Sequence, residues 1–256
     1  MLLAIDVGNT QTHLGAFEGP DLRESWRFQT RAGMTSDEIA ERISGFMELS
    51  GMHFADIEAI CVSSVVPPLG NQYARLCRRY LDDGECLLIG PGIRTGMAIR
   101  IDNPYEVGAD RLVNAVAAYD RFHGACVVVD FGTGINFDAV SAEGEYLGGA
   151  IAPGVEISLT ALAQRGARIP QIDLAKPGAA IGKSTRSAIE SGVVYGFAGL
   201  IDGVARRIVE ELGEGTPILA TGGLASSIVP YCETISDIDE LLTLTGLRII
   251  WERNLD

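Results

Sequence analysis

The stretches Ile5-Asp6-Val7-Gly8-Asn9-Thr10 and Val129-Asp130-Phe131-Gly132-Thr133-Gly134 share one grammar. Each begins at the end of a short apolar run, Leu2 to Ile5 in the first and Ala125 to Val129 in the second. A carboxylate closes the run, a glycine follows two places later, and small hydroxyl or amide residues come next. The runs predict buried strands, with Gln11 to Phe17 and Gly134 to Val140 as antiparallel partners behind a tight turn. Glycine lets the backbone N–H groups of such a turn approach an anion, and the carboxylate suits a hydrated Mg²⁺. One such turn is equally an ordinary hairpin with an Asx cap. Asp6 and Asp130, however, stand 124 residues apart in a chain of 256. Repetition at half the chain length predicts a duplicated α/β domain whose two turns face a nucleotide's phosphates across a cleft.

Working outward, short apolar runs alternate with helical patterns, as in α/β proteins. Glu24 to Thr30 predicts a half-exposed third strand, and Ser36 caps a helix that Gly51 stops. Ile57 to Val62 and Cys86 to Ile89 predict strands, and Pro67-Pro68 opens a helix between them. Asp110 to Phe122 predicts a helix. In the second half, Leu147 to Ala152 is a strand, Val155 to Ala163 a helix and Pro217 to Ala220 a strand. From Thr185, as cap, a long helix runs to about Leu212 with Gly192, Gly196, Gly199 and Gly203 on one face. Each glycine costs about 1 kcal/mol against alanine in a helix, so something must approach that face closely: a helix of the same chain, a second subunit or a ligand. Leu247 to Arg253 fits a helix or a strand. The half-length repeat places the domains at 1–115 and 116–256.

Composition narrows the function. The chain has 20 Lys+Arg against 34 Asp+Glu, a net charge of −14, which argues against nucleic acid and anionic membrane surfaces as partners. No apolar run approaches the roughly 20 residues that span a bilayer, and the start is too short for a signal peptide. Five cysteines without a C-x-x-C pair predict neither a disulfide framework nor a zinc site, which fits a cytoplasmic protein. The three histidines, His13, His53 and His123, lack metal-ligand spacing. Gly182-Lys183-Ser184 imitates a P-loop, but Pro177 stands where that motif needs its first glycine.

Taken together, Asp6-Val7-Gly8-Asn9-Thr10, Asn103-Pro104 with Gly108-Ala109-Asp110-Arg111, and Asp130-Phe131-Gly132-Thr133 resemble the ordered motifs of the type III pantothenate kinases. Tyr146 to Gly154 and Thr221-Gly222-Gly223 extend the resemblance over nearly the whole chain. It implies an actin/hexokinase-like (ribonuclease H-like) two-domain fold with a nucleotide cleft between the domains. It also implies phosphorylation of pantothenate by ATP with Mg²⁺, a monovalent cation (K⁺ or NH₄⁺) and a homodimer. By motif, Asp6, Val7, Gly8, Asn9, Thr10, Gln11, Thr12 and His13 correspond to the first phosphate-binding loop, and Thr133 to a second ATP contact. Gly108, Ala109, Asp110 and Arg111 correspond to the pantothenate segment, with Asp110 as the catalytic base and Arg111 as the partner of the substrate carboxylate. A guanidinium suits that task because it can grip a carboxylate with two hydrogen bonds. Asp130 corresponds to the monovalent-cation ligand and Thr185 to a substrate contact, although helix capping explains Thr185 equally well.

Two departures stand out. Gly134-Ile135-Asn136 replaces an Ala-Thr-Thr run, which removes two hydroxyls beside the phosphates, and Ile101 replaces a tyrosine near the substrate. Restoring Ala-Thr-Thr is expected to tighten ATP binding or raise turnover. The departures also keep open an alternative, a catalytically weak nucleotide-binding relative with a regulatory role.

Overall fold

The computed structural model describes residues 1–81, 84–166 and 169–255. Its first half contains β1 (Leu2–Val7), β2 (Gln11–Glu18), β3 (Asp21–Gln29), α1 (Ser36–Leu49), β4 (Ala59–Ser64), α2 (Pro67–Tyr80), β5 (Glu85–Leu88), β6 (Ala98–Ile99) and α3 (Ala109–Phe122). There follow β7 (Cys126–Phe131), β8 (Gly134–Val140), β9 (Glu145–Pro153), α4 (Val155–Arg165), α5 (Thr185–Leu212), β10 (Ile218–Thr221), α6 (Ala225–Ile228), β11 (Asp237–Ile238) and α7 (Leu242–Glu252).

The first sheet has the order β3-β2-β1-β4-β5. Its β1–β2 and β2–β3 pairs are antiparallel, and β1–β4 and β4–β5 are parallel. β1 is apolar almost throughout because both of its faces are covered. Leu3, Ile5, Val7, Leu14, Ile60 and Val62 form one core with residues of α1 and α2. On the other face, α7 packs against β1, β2 and β4, and Gly15 leaves room for the Leu244 side chain. The second sheet runs β11-β10-β7-β8-β9-β6. Apart from the short β6, it repeats the first, since β9-β8-β7-β10-β11 has the same order and the same strand directions. The half-length sequence repeat is therefore a repeat of topology.

The chain divides into two compact units. One holds Met1–Met97, Asn103–Ala117 and the segment from Leu242 onward; the other holds Ala98–Asp102 and Ala118–Leu241. The division is thus not one cut near residue 115. The segment left open between helix and strand is helical, and its buried Leu242, Leu244, Leu247, Ile249 and Ile250 complete the first unit.

Four local expectations are corrected. Thr35, not Ser36, caps α1: its side chain accepts from the Glu38 N–H, and the Glu38 carboxylate accepts from the Thr35 N–H at 2.8 Å. Ser184, not Thr185, caps α5 through the Ser187 N–H. Cys77 and Cys86 form a disulfide with Cα atoms 6.1 Å apart, which joins α2 to β5. Cys61, Cys126 and Cys232 are free thiols. Finally, α5 is long and apolar enough to cross a membrane, by length and composition alone. It packs instead on β7 and β8, with Ser191, Val194, Ala198, Ile201, Asp202 and Ala205 buried. Buried Asp202 accepts hydrogen bonds from the Glu233 and Thr234 N–H groups and the Thr234 hydroxyl, which tie this helix to the loop before β11.

Candidate active site

In the first unit, β1 and β2 meet in a turn that the Gly8 N–H closes by donating to the Gln11 carbonyl at 3.0 Å. A Cβ at Gly8 would lie 2.9 Å from that oxygen, so the turn requires glycine there. Asn9, Thr10 and Gln11 are exposed at its tip. Val7 and Thr12 are buried beneath it. The Thr12 hydroxyl shares a 2.9 Å hydrogen bond with Thr30 and contacts the buried Tyr73 hydroxyl, while the Thr30 N–H donates to Thr10. Thr12 thereby anchors the turn from the core side.

Asp6 is paired across the sheet with His13 on β2 and with Ser63 on β4. Side chains of paired residues leave the sheet on one face, so the three form a row at the end of β1. Burial, aided by the Arg27 charge, lowers the His13 pKa to about 4. The imidazole is therefore neutral at physiological pH and carries one donor and one acceptor nitrogen.

Also in the first unit, Asn103 caps the short turn Pro104–Glu106 by accepting from the Tyr105 N–H. The chain then enters α3 through Gly108, whose carbonyl accepts from the Leu112 N–H. Asp110 and Arg111 lie in the first turn of that helix. The Asp110 Oδ1 accepts from the Arg111 N–H at 2.8 Å and lies 2.5 Å from where a Gly108 Cβ would be. Glycine at 108 is what lets the carboxylate fold back over the helix start. Burial pushes the Asp110 carboxyl above its ordinary value, opposed by the backbone N–H and guanidinium of Arg111. A half-buried carboxylate with a raised pKa, held at a helix N-terminus, has the properties of a general base.

The second unit repeats the turn. Asp130 pairs with Asn136 on β8 and with Thr221 on β10. Gly132 and Thr133 are exposed at the tip. Below it, a Cβ at Gly154 would lie 2.1 Å from the Thr133 carbonyl oxygen, so β9 can end beneath the turn only with glycine. Gly222 has φ +94°, and a Cβ there would fall 2.5 Å from the Asp130 carboxylate. The Gly222 backbone thus lies against the Asp130 carboxylate and the Phe131 backbone, an approach that only glycine permits. Thr185 is exposed at the first position of α5, and since Ser184 makes the cap, capping does not account for it.

Ile135 corrects one expectation. It pairs with Phe131 and is fully buried in the core of the second unit, on the face opposite Asp130 and Asn136. A hydroxyl at 135 would enter that core rather than the phosphate side; only position 136 shares a face with Asp130. Ile101 packs on β9, its Cγ2 being 3.2 Å from the Cβ position of Gly148. Ser63 belongs to no motif, although the end of β4 beside Asp6 matches the place of Thr221 beside Asp130. That shared hydroxyl is the signal that could have found it.

Each set of motif residues is thus assembled within its own unit: Asp6 to His13 and the α3 start in the first, Asp130, Thr133 and Thr185 in the second. Comparison with known proteins gives this assembly a family. A model of the type III pantothenate kinases matches residues 2–207. A protein named type III pantothenate kinase from Anaeromyxobacter sp. (strain Fw109-5) is 50% identical over 254 residues, 99% of this chain and 100% of that one. Its namesake from Streptomyces avermitilis is 49% identical over 262 residues, 100% of this chain and 99% of the relative. Solved structures share the fold at much lower identity. The ethanolamine utilization protein EutJ from Carboxydothermus hydrogenoformans has a TM-score of 0.58 at 11% identity, covering 97% of this chain and 89% of its own. The activator of 2-hydroxyisocaproyl-CoA dehydratase from Clostridium difficile, solved with bound ADPNP, has 0.52 at 13%, covering 97% and 92%. The architecture is the actin/hexokinase-like one, and the chain belongs to the type III pantothenate kinase family.

Proposed function

We propose that this protein transfers the γ-phosphoryl group of ATP to the primary hydroxyl of pantothenate, forming 4′-phosphopantothenate and ADP, the first step of coenzyme A biosynthesis. The observation that carries the reading is kinship over the full chain at about half identity, with one aspartate turn in each sheet. Asp110 accepts the proton as the pantothenate oxygen bonds to phosphorus and the bond from phosphorus to the β,γ-bridging oxygen breaks, releasing ADP. Arg111 holds the substrate carboxylate, and Thr185 contributes a hydroxyl to the substrate. The N–H groups at the turn tips, from Asn9 to Gln11 and from Gly132 to Thr133, donate to phosphate oxygens, with neutral His13 beside the first. These assignments follow the family motifs and the exposure of the turn tips.

Among the described residues no group of three His, Cys, Asp or Glu side chains could hold a metal by itself. A single carboxylate such as Asp6 fits Mg²⁺, which keeps waters and takes phosphate oxygens as its remaining ligands. When bound, Mg²⁺ supplies neutralisation of phosphate charge. For K⁺ or NH₄⁺ the candidate ligand is the Asp130 carboxylate, whose Oδ1 faces Gly222. A second copy of the chain is the expected partner. The Cβ positions of Gly192, Gly196 and Gly199 have no neighbour within 4 Å, and Tyr195, Ile157 and Leu162 are exposed in the same unit. A cytoplasmic location fits the proposed substrates, and the packing of α5 on its own sheet supports a role away from membranes.

A coupled ADP-release assay with and without pantothenate tests the reading. Pantothenate-dependent release that needs Mg²⁺ and rises with K⁺ or NH₄⁺ over Na⁺ is expected. ADP release indifferent to pantothenate refutes the kinase, and equal rates in the three salts refute the cation role of Asp130.

A further inference from the structure

Ser63 closes the row that His13 and Asp6 begin. β1 and β4 run parallel with Asp6 opposite Ser63, so the two side chains rise from adjacent strands, about 4.8 Å apart, on one face. The Ser63 side chain is fully buried, and its Oγ has no hydrogen-bond partner. A buried hydroxyl without a partner is a net cost to the fold, and alanine would fill the same position without it. The second unit keeps a hydroxyl at the equivalent place: Thr221, on β10, pairs with Asp130 and is also buried. Both halves thus set a buried hydroxyl beside the aspartate that stands next to last in β1 and in β7.

We propose that Ser63 is a positioning residue for Asp6. With nucleotide bound, its hydroxyl donates a hydrogen bond to the Asp6 carboxylate, directly or through one buried water. That bond fixes one carboxylate oxygen and leaves the other aimed at the cation and phosphates. A hydrogen bond to an ionised acceptor is roughly twice as strong as a neutral one, which is enough to offset in the bound state what the unpaired hydroxyl costs in the free state. The identity of the ligand rests on the kinase reading; the geometry of the row does not.

The test compares Ser63→Ala and Ser63→Thr with wild type by thermal unfolding without nucleotide, thermal unfolding with Mg·ATP, and steady-state kinetics. Ser63→Ala is expected to be at least as stable as wild type without nucleotide, because it removes an unpaired hydroxyl. It should bind Mg·ATP about ten- to hundredfold more weakly, the loss expected for a hydrogen bond to a charged group, and show a smaller nucleotide-induced shift in Tm. The KM for pantothenate should stay within twofold, and Ser63→Thr, which keeps the hydroxyl, should recover most of the affinity. Wild-type nucleotide affinity in Ser63→Ala overturns the proposal. So does destabilisation of Ser63→Ala without nucleotide, since the hydroxyl would then be paired in the free fold, and so do equal losses in both variants. If the wild type fails to phosphorylate pantothenate, the kinase reading falls, while the Mg·ATP titrations still decide the role of Ser63.

Discussion

Burial pushes the Asp110 carboxyl upward, and this sets where on the pH axis it can accept a proton. Only the ionised form is a base, so raising its pKa moves the acidic limb of kcat/KM to higher pH than an ordinary carboxylate gives. Turnover should rise with pH through that limb and level off once Asp110 is ionised. Asp110→Asn keeps the shape but cannot take the proton, and should lower kcat by about 10²–10⁴-fold while the protein stays folded. Near-wild-type turnover in that variant, or a limb at the pH of an exposed aspartate, removes Asp110 from the role. Motif reading could place this carboxylate at the start of a helix. It could not supply the burial, nor the reason Gly108 precedes it, because both depend on neighbours brought in by folding.

At the scale of the element, strand alternation governs the departure at Gly134-Ile135-Asn136. Read as a string, the run lacks two hydroxyls beside a phosphate. As a strand, it turns Ile135 into the core and leaves Asn136 on the face of Asp130. Ile135→Thr should therefore lower stability by about 1–3 kcal/mol, from a buried hydroxyl without a partner and lost packing, and leave the Kd for ATP unchanged. Asn136→Thr alone should reproduce whatever affinity change the full Ala-Thr-Thr replacement brings. Urea unfolding with calorimetric ATP titration of the single and triple variants checks this; a several-fold tighter Kd in Ile135→Thr contradicts it. The same alternation explains what was legible: β8 lies where its pattern predicts it, from Gly134 to Val140. The two-residue strands β6 and β11 were not predicted, since so few residues carry no period and their pairing depends on partners distant in sequence.

For the whole molecule, α5 asks what covers its glycine face. Had a helix of the same chain packed there, the Cβ positions of Gly192, Gly196 and Gly199 would meet it; they meet nothing within 4 Å. Light scattering should return twice the chain mass of 27.2 kDa. Gly196→Arg, which projects a charge from the open face, should shift the protein toward monomer without lowering its unfolding temperature as a monomer. A wild type that is monomeric at micromolar concentration excludes the self-association, and an unaltered dimer in Gly196→Arg places the seam elsewhere.

Local physics written along the chain was sufficient for the longer strands, the helices other than α6 and α7, the two aspartate turns and the duplication. Each depends on residues a few places apart: an apolar run, a carboxylate, a glycine, a repeat of that order. Motif order likewise carried the family resemblance. Only the tertiary structure decided the rest. It assigned α7 to the first unit, because its apolar side chains bury against β1, β2 and β4, which lie far earlier in the chain. It joined Cys77 to Cys86, turned Ile135 inward, and set an unpaired Ser63 hydroxyl beside Asp6. These features are properties of register and burial, which arise when distant strands pair and are not encoded in any single stretch of residues.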